Sequence, residues 1–212
     1  MQHITLSNIR NWERFYRANC INCLTGFKSV SLIGSVNVAG QPNLAMFSSI
    51  VHLGSDPALV GYINRPRAAA PDTLHNIEAT GVYTINHIQA NFIEAAHQTS
   101  AKYPSSVNEF EVVGLEPEFW DGIIAPFVRV SEVKYALKLV EIVPISHNNT
   151  FLVIGAVTDI FIRPDILQPD GFLAIEKAGS LTSLGADGYY TTQPLARYQY
   201  AKPGIPVQRI DE

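Results

Sequence analysis

Two runs, Ser131 to Ile142 and Thr150 to Ile162, lie on either side of a short polar turn, Ser146 to Asn149. The first places Val133, Tyr135, Leu137, Leu139 and Glu141 on one face, and the second is rich in β-branched residues. A period of two is the signature of a strand, so this stretch predicts two long strands joined as a hairpin, and the fold has to be built around a sheet.

Shorter segments upstream supply partners. From Lys28, Val30, Leu32, Gly34 and Val36 alternate with Ser29, Ser31, Ile33 and Ser35, and Ala39-Gly40 follows as a turn. Asn43 to Leu53 reads as one strand interrupted by Ser48-Ser49, and Leu59 to Ile63 as the next, after a Gly54-Ser55-Asp56-Pro57 turn. Turns this short favour antiparallel pairing. A helix is predicted from Pro71-Asp72-Thr73 to a left-handed cap at Gly81, a strand from Gly81 to Ile88, and a short helix from Asn91 to Gln98. About six strands with few helices predict a mainly β (α+β) fold, a small antiparallel barrel rather than a parallel sheet.

The ends differ in texture from this middle. Ser7 can cap a helix of about residues 7–17, with Ile9, Trp12, Phe15 and Tyr16 on one side and Arg10, Arg14 and Arg17 on the other. Beyond Pro164 the chain turns to Gly, Pro, Ser, Thr and Tyr, which predicts an arm over about 164–212 that either packs on a neighbouring subunit or wraps its own domain. A single domain over 1–212 is expected, since 47% apolar residues suffice for a sizeable core.

Composition excludes several classes of function. A net charge of -4 without a Lys/Arg cluster argues against nucleic acid and anionic lipid as partners. The longest strongly apolar run, Phe151 to Val157, is far short of the roughly 20 residues that span a bilayer. Met1 to Arg17 mixes charges among its apolar residues, unlike a signal peptide, so a cytoplasmic protein without disulfides is expected. Cys20 and Cys23 form a C-x-x-C spacing, which raises redox or zinc chemistry, but no second pair completes a zinc shell and the plainer expectation is two partly buried thiols. No metal site is expected. Hydrolase, nucleotidase and dinucleotide-fold readings lack their Ser-His-Asp order, P-loop and G-x-G-x-x-G.

The stretch N-L-A-M-F-S-S-I-V-H-L-G-S-D-P-A-L-V-G-Y-I-N-R-P, followed by D-T-L-H-N-I, carries the chemistry. It brings hydroxyls and backbone amides near an arginine and a helix start. Arg65 can meet a phosphate as a forked donor, and Thr73 with the free N–H groups of a helix N-terminus forms an anion site. The plainer alternative is that Thr73 or Asp72 caps its own helix and Arg65 is solvated.

This stretch resembles the flavin reductase-like family of FMN-binding split barrels, through N-x-x-x-F-S-S, D-P, R-P and T-L-x-N-I, then T-I-N-H at Thr84 to His87, H-Q-T-S at His97 to Ser100, N-E-F-E-V-V-G-L and A-P-F-V. The resemblance covers roughly residues 22–162 and implies a six-stranded antiparallel split β-barrel of Greek-key type, with short flanking helices. It implies FMN as cofactor, the isoalloxazine edge held by backbone amides of Phe47, Ser48, Ser49 and Ile50. Arg65 and Thr73 would take the phosphate, Thr99, Ser100 and Lys102 would assist, and Asn43 would fix the strand or touch the flavin. Many relatives have a basic residue before the D-T pair where this chain has Ala68 to Pro71, so Arg67 would have to bend back to replace it.

The resemblance also implies an oxidoreductase that reduces flavin with NAD(P)H and passes the electrons to a free flavin, a metal complex or another acceptor, working as a homodimer with the flavin near the interface. The alternative is an FMN-binding electron carrier or redox sensor with no nicotinamide site of its own. His52 and His97 could donate a proton near the ring or be hydrogen-bonded within the fold, while His75, His87 and His147 read as surface or turn residues.

Overall fold

The period-two runs form the strands expected of them, and the sheet they build has one strand more than the sequence suggested. The computed structural model describes residues 1–69 and 71–210. Strands β1 (Ser31–Val36), β2 (Pro42–Phe47), β3 (Val51–Ser55), β4 (Ala58–Asn64) and β5 (Val82–His87) come first. A hairpin of β6 (Pro117–Trp120) and β7 (Ile123–Val128) follows, then the long pair β8 (Val133–Ile145) and β9 (Thr150–Ile162). Seven of these make one antiparallel sheet in the order β2-β1-β5-β8-β9-β4-β3.

The seventh strand arises at Ser48-Ser49. Asn43 to Leu53 reads as one interrupted strand, but its halves are β2 and β3, which lie at opposite edges of the sheet. Only Ser48, Ser49 and Ile50 join them. In a flat sheet six spacings of about 4.8 Å would hold those edges about 29 Å apart, whereas four peptide steps reach about 14 Å at most. The sheet must therefore curl until its edges approach, which makes it a barrel split along one side. Register shifts in the long hairpin at Ile154/Gly155 and Val157/Asp159 supply part of the bend.

Strand β1 shows why simple alternation misleads at the centre of such a sheet. All its residues are buried, because both faces are covered. Leu32 packs with Val30, Leu44, Phe92, Phe110 and Val128 on one side. Ile33 packs with Tyr62, Tyr83, Ile85, Leu137 and Val153 on the other, where helix α3 (Asp72–Thr80) adds Leu74 and Ile77. Helix α3 ends at Gly81 with φ 73°, the expected left-handed cap. Hairpin β6/β7 and the short helix α5 (Glu109–Val113) were not anticipated; Thr84 Oγ1 donates to Pro126 O at 2.6 Å and ties the hairpin to β5.

The ends also differ from expectation. The N-terminal helix is two helices, α1 (Leu6–Asn11) and α2 (Arg14–Leu24). Thr5, not Ser7, caps the first in a capping box with Asn8, and the Glu13 carboxylate caps the second by accepting from the amides of Phe15 and Tyr16. The Glu13 carboxylate at the break sits at the positive end of the second helix, where a negative charge is stabilising. Cys20 and Cys23 lie on α2, the first half-buried and the second exposed, both free. Helix α4 covers Ile93–Gln98, preceded by a 3-10 turn at Ala90–Phe92.

The first half of the arm adds buried residues to the core. Ile166, Ala174, Ala178 and Leu181 are buried, and the hairpin β10 (Thr182–Leu184) and β11 (Gly188–Tyr190) pairs through β10 with Lys28-Ser29. Tyr200 and Leu195 further on are almost fully exposed. Residues 211–212 of the predicted arm lie outside the described residues. Among the described residues no helix is long and apolar enough to cross a membrane.

Candidate functional site

A cavity of about 690 Å³ opens beside the crossing from β2 to β3. That volume is in the range that takes a cofactor-sized ligand. Its floor runs along β2 from Asn43 through Ala45 and Met46 to Phe47, Ser48 and Ser49. One wall is Ile63, Arg65 and the start of α3 at Asp72 and Thr73. The facing wall is the loop from Thr99 to Ser105 with Glu109, and Asn22 and Lys28 complete the rim.

The crossing itself creates one end of the site. Leaving one edge of the sheet for the other takes Ser48 and Ser49 out of any ladder, and their amides make no backbone hydrogen bond among the described residues. The Ser49 hydroxyl anchors the segment to β4, donating to Ile63 O and accepting from Ile63 N at 3.1 Å each. Ser29 Oγ donates to Ile50 O at 3.0 Å from the other side. Ser48 and Ser49, both half-buried, are thereby held at fixed positions on the cavity wall, and backbone donors without partners are costly unless something accepts from them.

The other end is built on α3. Its N-terminus has Pro71 at the cap and no side-chain cap, so neither Asp72 nor Thr73 caps the helix and its first amides stay available. Thr73 is 4% exposed, and its hydroxyl accepts from Asn43 Nδ2 at 3.1 Å. Asn43 also donates to Ser35 Oγ at 3.0 Å, as Asn76 does at 3.2 Å. A hydroxyl has one proton and two lone pairs, so with a lone pair occupied the Thr73 proton is free for a ligand. Asn43 acts from beneath, orienting that hydroxyl.

Charges near this end are mixed. Arg65 and Lys102 are exposed and make no ion pair among the described residues. Glu109 is buried and accepts from Leu44 N at 3.2 Å, and burial pushes its carboxyl above the usual range. Arg67 does not bend back. It forms a forked ion pair with Glu78 and lies 4.9 Å from the centre of the Phe151 ring, because α3 offers it a carboxylate outside the cavity.

Of the residues read from the sequence, Asn43, Phe47, Ser48, Ser49, Arg65, Thr73, Thr99, Ser100 and Lys102 all line this cavity. Thr99 lines it with its hydroxyl already donated to Ala96 O at 2.7 Å, closing the end of α4, so it offers no side-chain proton. Ile50 does not line it and packs instead toward the core around Tyr62. His52 is exposed on edge strand β3. His97 Nδ1 lies 2.6 Å from the Tyr189 hydroxyl, which reaches Met46 Sδ at 3.2 Å, so it is hydrogen-bonded within the fold. His87, read as a surface or turn residue, is half-buried with Nδ1 2.9 Å from Ser180 Oγ, and burial pulls it down to about 4. Sequence reading missed Lys28, Asn22 and Glu109 at the cavity. Lys28 and Asn22 lie ahead of the seven-stranded sheet and reach the site only through tertiary contacts, while Glu109 stood inside N-E-F-E-V-V-G-L without a role.

The geometry defines a class of protein: a split barrel with a ligand cavity at the crossing between its two edges. The chain belongs to the flavin reductase like domain family, which matches residues 27–179. It is similar to a crystal structure from Shewanella frigidimarina, named provisionally as a flavin reductase with a split barrel domain. The two are 42% identical with a TM-score of 0.92 over 95% of this chain and 100% of that one. Component B of nitrilotriacetate monooxygenase from Bacillus cereus shares the fold at 18% identity, with a TM-score of 0.81 over 93% of this chain and 98% of that one. An uncharacterized Aquifex aeolicus protein is 25% identical over 76% of this chain and 83% of its own length. Membership of this family points to a flavin as the ligand and to oxidoreductase chemistry.

Proposed function

We propose that the cavity binds FMN and that the protein is a flavin reductase using NAD(P)H. The observation that carries this is the division of the cavity into two ends with different donors. Unpartnered amides of Ser48 and Ser49 suit the ring's polar edge, and Thr73, the uncapped α3 N-terminus and Arg65 suit a phosphate. Bound flavin would supply the redox chemistry, taking two electrons from a reduced nicotinamide and passing them to an acceptor. The chain's own part is to hold and orient: Phe47 forms a wall backed edge-on by Tyr62 at 4.8 Å, and fixed amides stabilise negative charge gained on reduction.

A homodimer belongs to the same proposal. Phe15, Leu24 and Phe27 are each more than 60% exposed on or just after α2, the segment that supplies Asn22 and Lys28 to the rim. Exposed apolar side chains along one segment suit a second copy of the chain. Light scattering is expected to give a mass of twice the chain, and a stable flavin-loaded monomer would falsify this part.

Purified protein tests the main proposal. After addition of FMN, a flavin absorption band that stays with the protein through gel filtration, and that NADH or NADPH bleaches without oxygen, is expected. Failure to bind FMN would overturn the proposal, and binding without bleaching by either nucleotide would leave an electron carrier instead.

A further inference from the structure

Lys28 is a cation at the cavity that makes no ion pair among the described residues. It stands before the seven-stranded sheet begins, yet it lines the cavity, and its position is set by two segments from outside the barrel. Its ammonium donates to Asn22 O, near the end of α2, at 3.2 Å, and to Gly185 O, in the turn between β10 and β11, also at 3.2 Å. Lys28 and Ser29 pair with Ser183 and Thr182 of β10, which fixes the backbone that carries it. An ammonium has three protons, so one is left for the cavity.

Lys28 lines the cavity together with Ser48 and Ser49, and a contact of the next residue ties its backbone to the crossing. Ser29 Oγ bonds Ile50 O, the last residue of the crossing, at 3.0 Å. The acidic lining residues belong to the opposite end: Glu109 is bonded to Leu44 N, and Asp72 adjoins Thr73, which is bonded to Asn43. A flavin that takes up two electrons and one proton carries a negative charge on the pyrimidine side of its ring. A cation held there stabilises the reduced form more than the neutral oxidised form.

We propose that Lys28 is the residue that makes this cavity hold reduced flavin more tightly than oxidised flavin, positioned by α2 and the C-terminal hairpin. The inference rests on the flavin reading above. It gives the two appendages a common role, since each provides one carbonyl that holds the ammonium, and neither alone would fix it. Arginine could replace the charge; glutamine keeps a donor for the carbonyls and removes the charge.

The experiment is anaerobic equilibrium binding of FMN, oxidised and dithionite-reduced, to the wild type and to Lys28→Gln, Lys28→Met and Lys28→Arg. In the wild type the reduced form should bind more tightly. In the Gln and Met variants the ratio of oxidised to reduced dissociation constants should fall about tenfold or more, equivalent to about 30 mV for a two-electron couple. In the Arg variant it should change less than about threefold. A structural role alone would weaken both forms together and leave the ratio unchanged, and that result overturns the inference. So does tighter binding of oxidised flavin by the wild type, a result that needs no variant to fold. Absence of any FMN binding to the wild type would instead remove the flavin reading, and this inference with it.

Discussion

Replacing Thr73 by valine separates the phosphate end of the site from the rest of it. The substitution keeps the shape of a side chain that is 4% exposed and removes the hydroxyl that accepts from Asn43 Nδ2 at 3.1 Å. If the hydroxyl proton serves a phosphate, a hydrogen bond to a charged group is lost, about 1.5 to 3 kcal/mol. FMN affinity should therefore fall about 10- to 150-fold. Riboflavin carries the same ring and no phosphate, so its affinity should change less than about twofold. Asn43 keeps Ser35 as an acceptor and loses one partner, which costs about 1 kcal/mol of stability. Fluorescence titration of both flavins, with urea unfolding in parallel, reads all three quantities. Arg65→Ala should repeat the selective loss of FMN, since its guanidinium has no other ion pair among the described residues. Equal losses for FMN and riboflavin would refute the assignment, because Thr73 would then act on the cavity's shape.

Three further outcomes follow from contacts away from the ligand. Arg67→Ala should leave FMN affinity within about twofold of wild type, because its charge is paired with Glu78 outside the cavity, and a tenfold loss would show that it serves the phosphate after all. Gly34→Ala should destabilise the fold by about 3 kcal/mol or more, since a Cβ there would collide with Pro126 O and come within 2.6 Å of Thr84 Oγ1; a urea midpoint like the wild type's would contradict this. His87 titrates near 4 in the folded protein and near 6.5 when unfolded, so the unfolded chain alone takes up the proton as pH falls between those values. Its contribution is present above pH 6.5 and is reduced by up to about 2 kcal/mol at pH 5. Urea midpoints at pH 7 and 5 should converge for His87→Gln, and a wild-type pH dependence retained in full by that variant would refute the assignment.

Legibility varied with how local the determining physics is. The long hairpin could be read to within a few residues, and Thr150–Ile162 has the expected bounds, because strand alternation and a polar turn are short-range properties. Helix α3 and its glycine cap were legible for the same reason. The N-terminal helix was misjudged because two competing caps, Thr5 and Glu13, lie eight positions apart and the choice depends on backbone geometry at the break. Ser48-Ser49 looked like a flaw in one strand, since a crossing between distant sheet edges leaves no local trace beyond a break in pattern.

For the site, residue types and their order along the chain were enough to gather nine lining positions, from Asn43 to Lys102, that the fold does bring to one cavity. Their availability was not readable. Thr99 and Thr73 are both buried hydroxyl residues, yet one donates its proton to a helix carbonyl and the other retains it because Asn43 approaches from below. Arg65 and Arg67 are two residues apart, and only the placement of Glu78 decides which is left for a ligand. By itself, the amino-acid sequence determined an antiparallel β protein with a flavin family's motifs, since periodicity, turns and motif order are written along one dimension. The curled sheet, the unpartnered amides at its crossing and the lysine held between two appendages were decided only in three dimensions. Each depends on contacts between segments far apart in the chain.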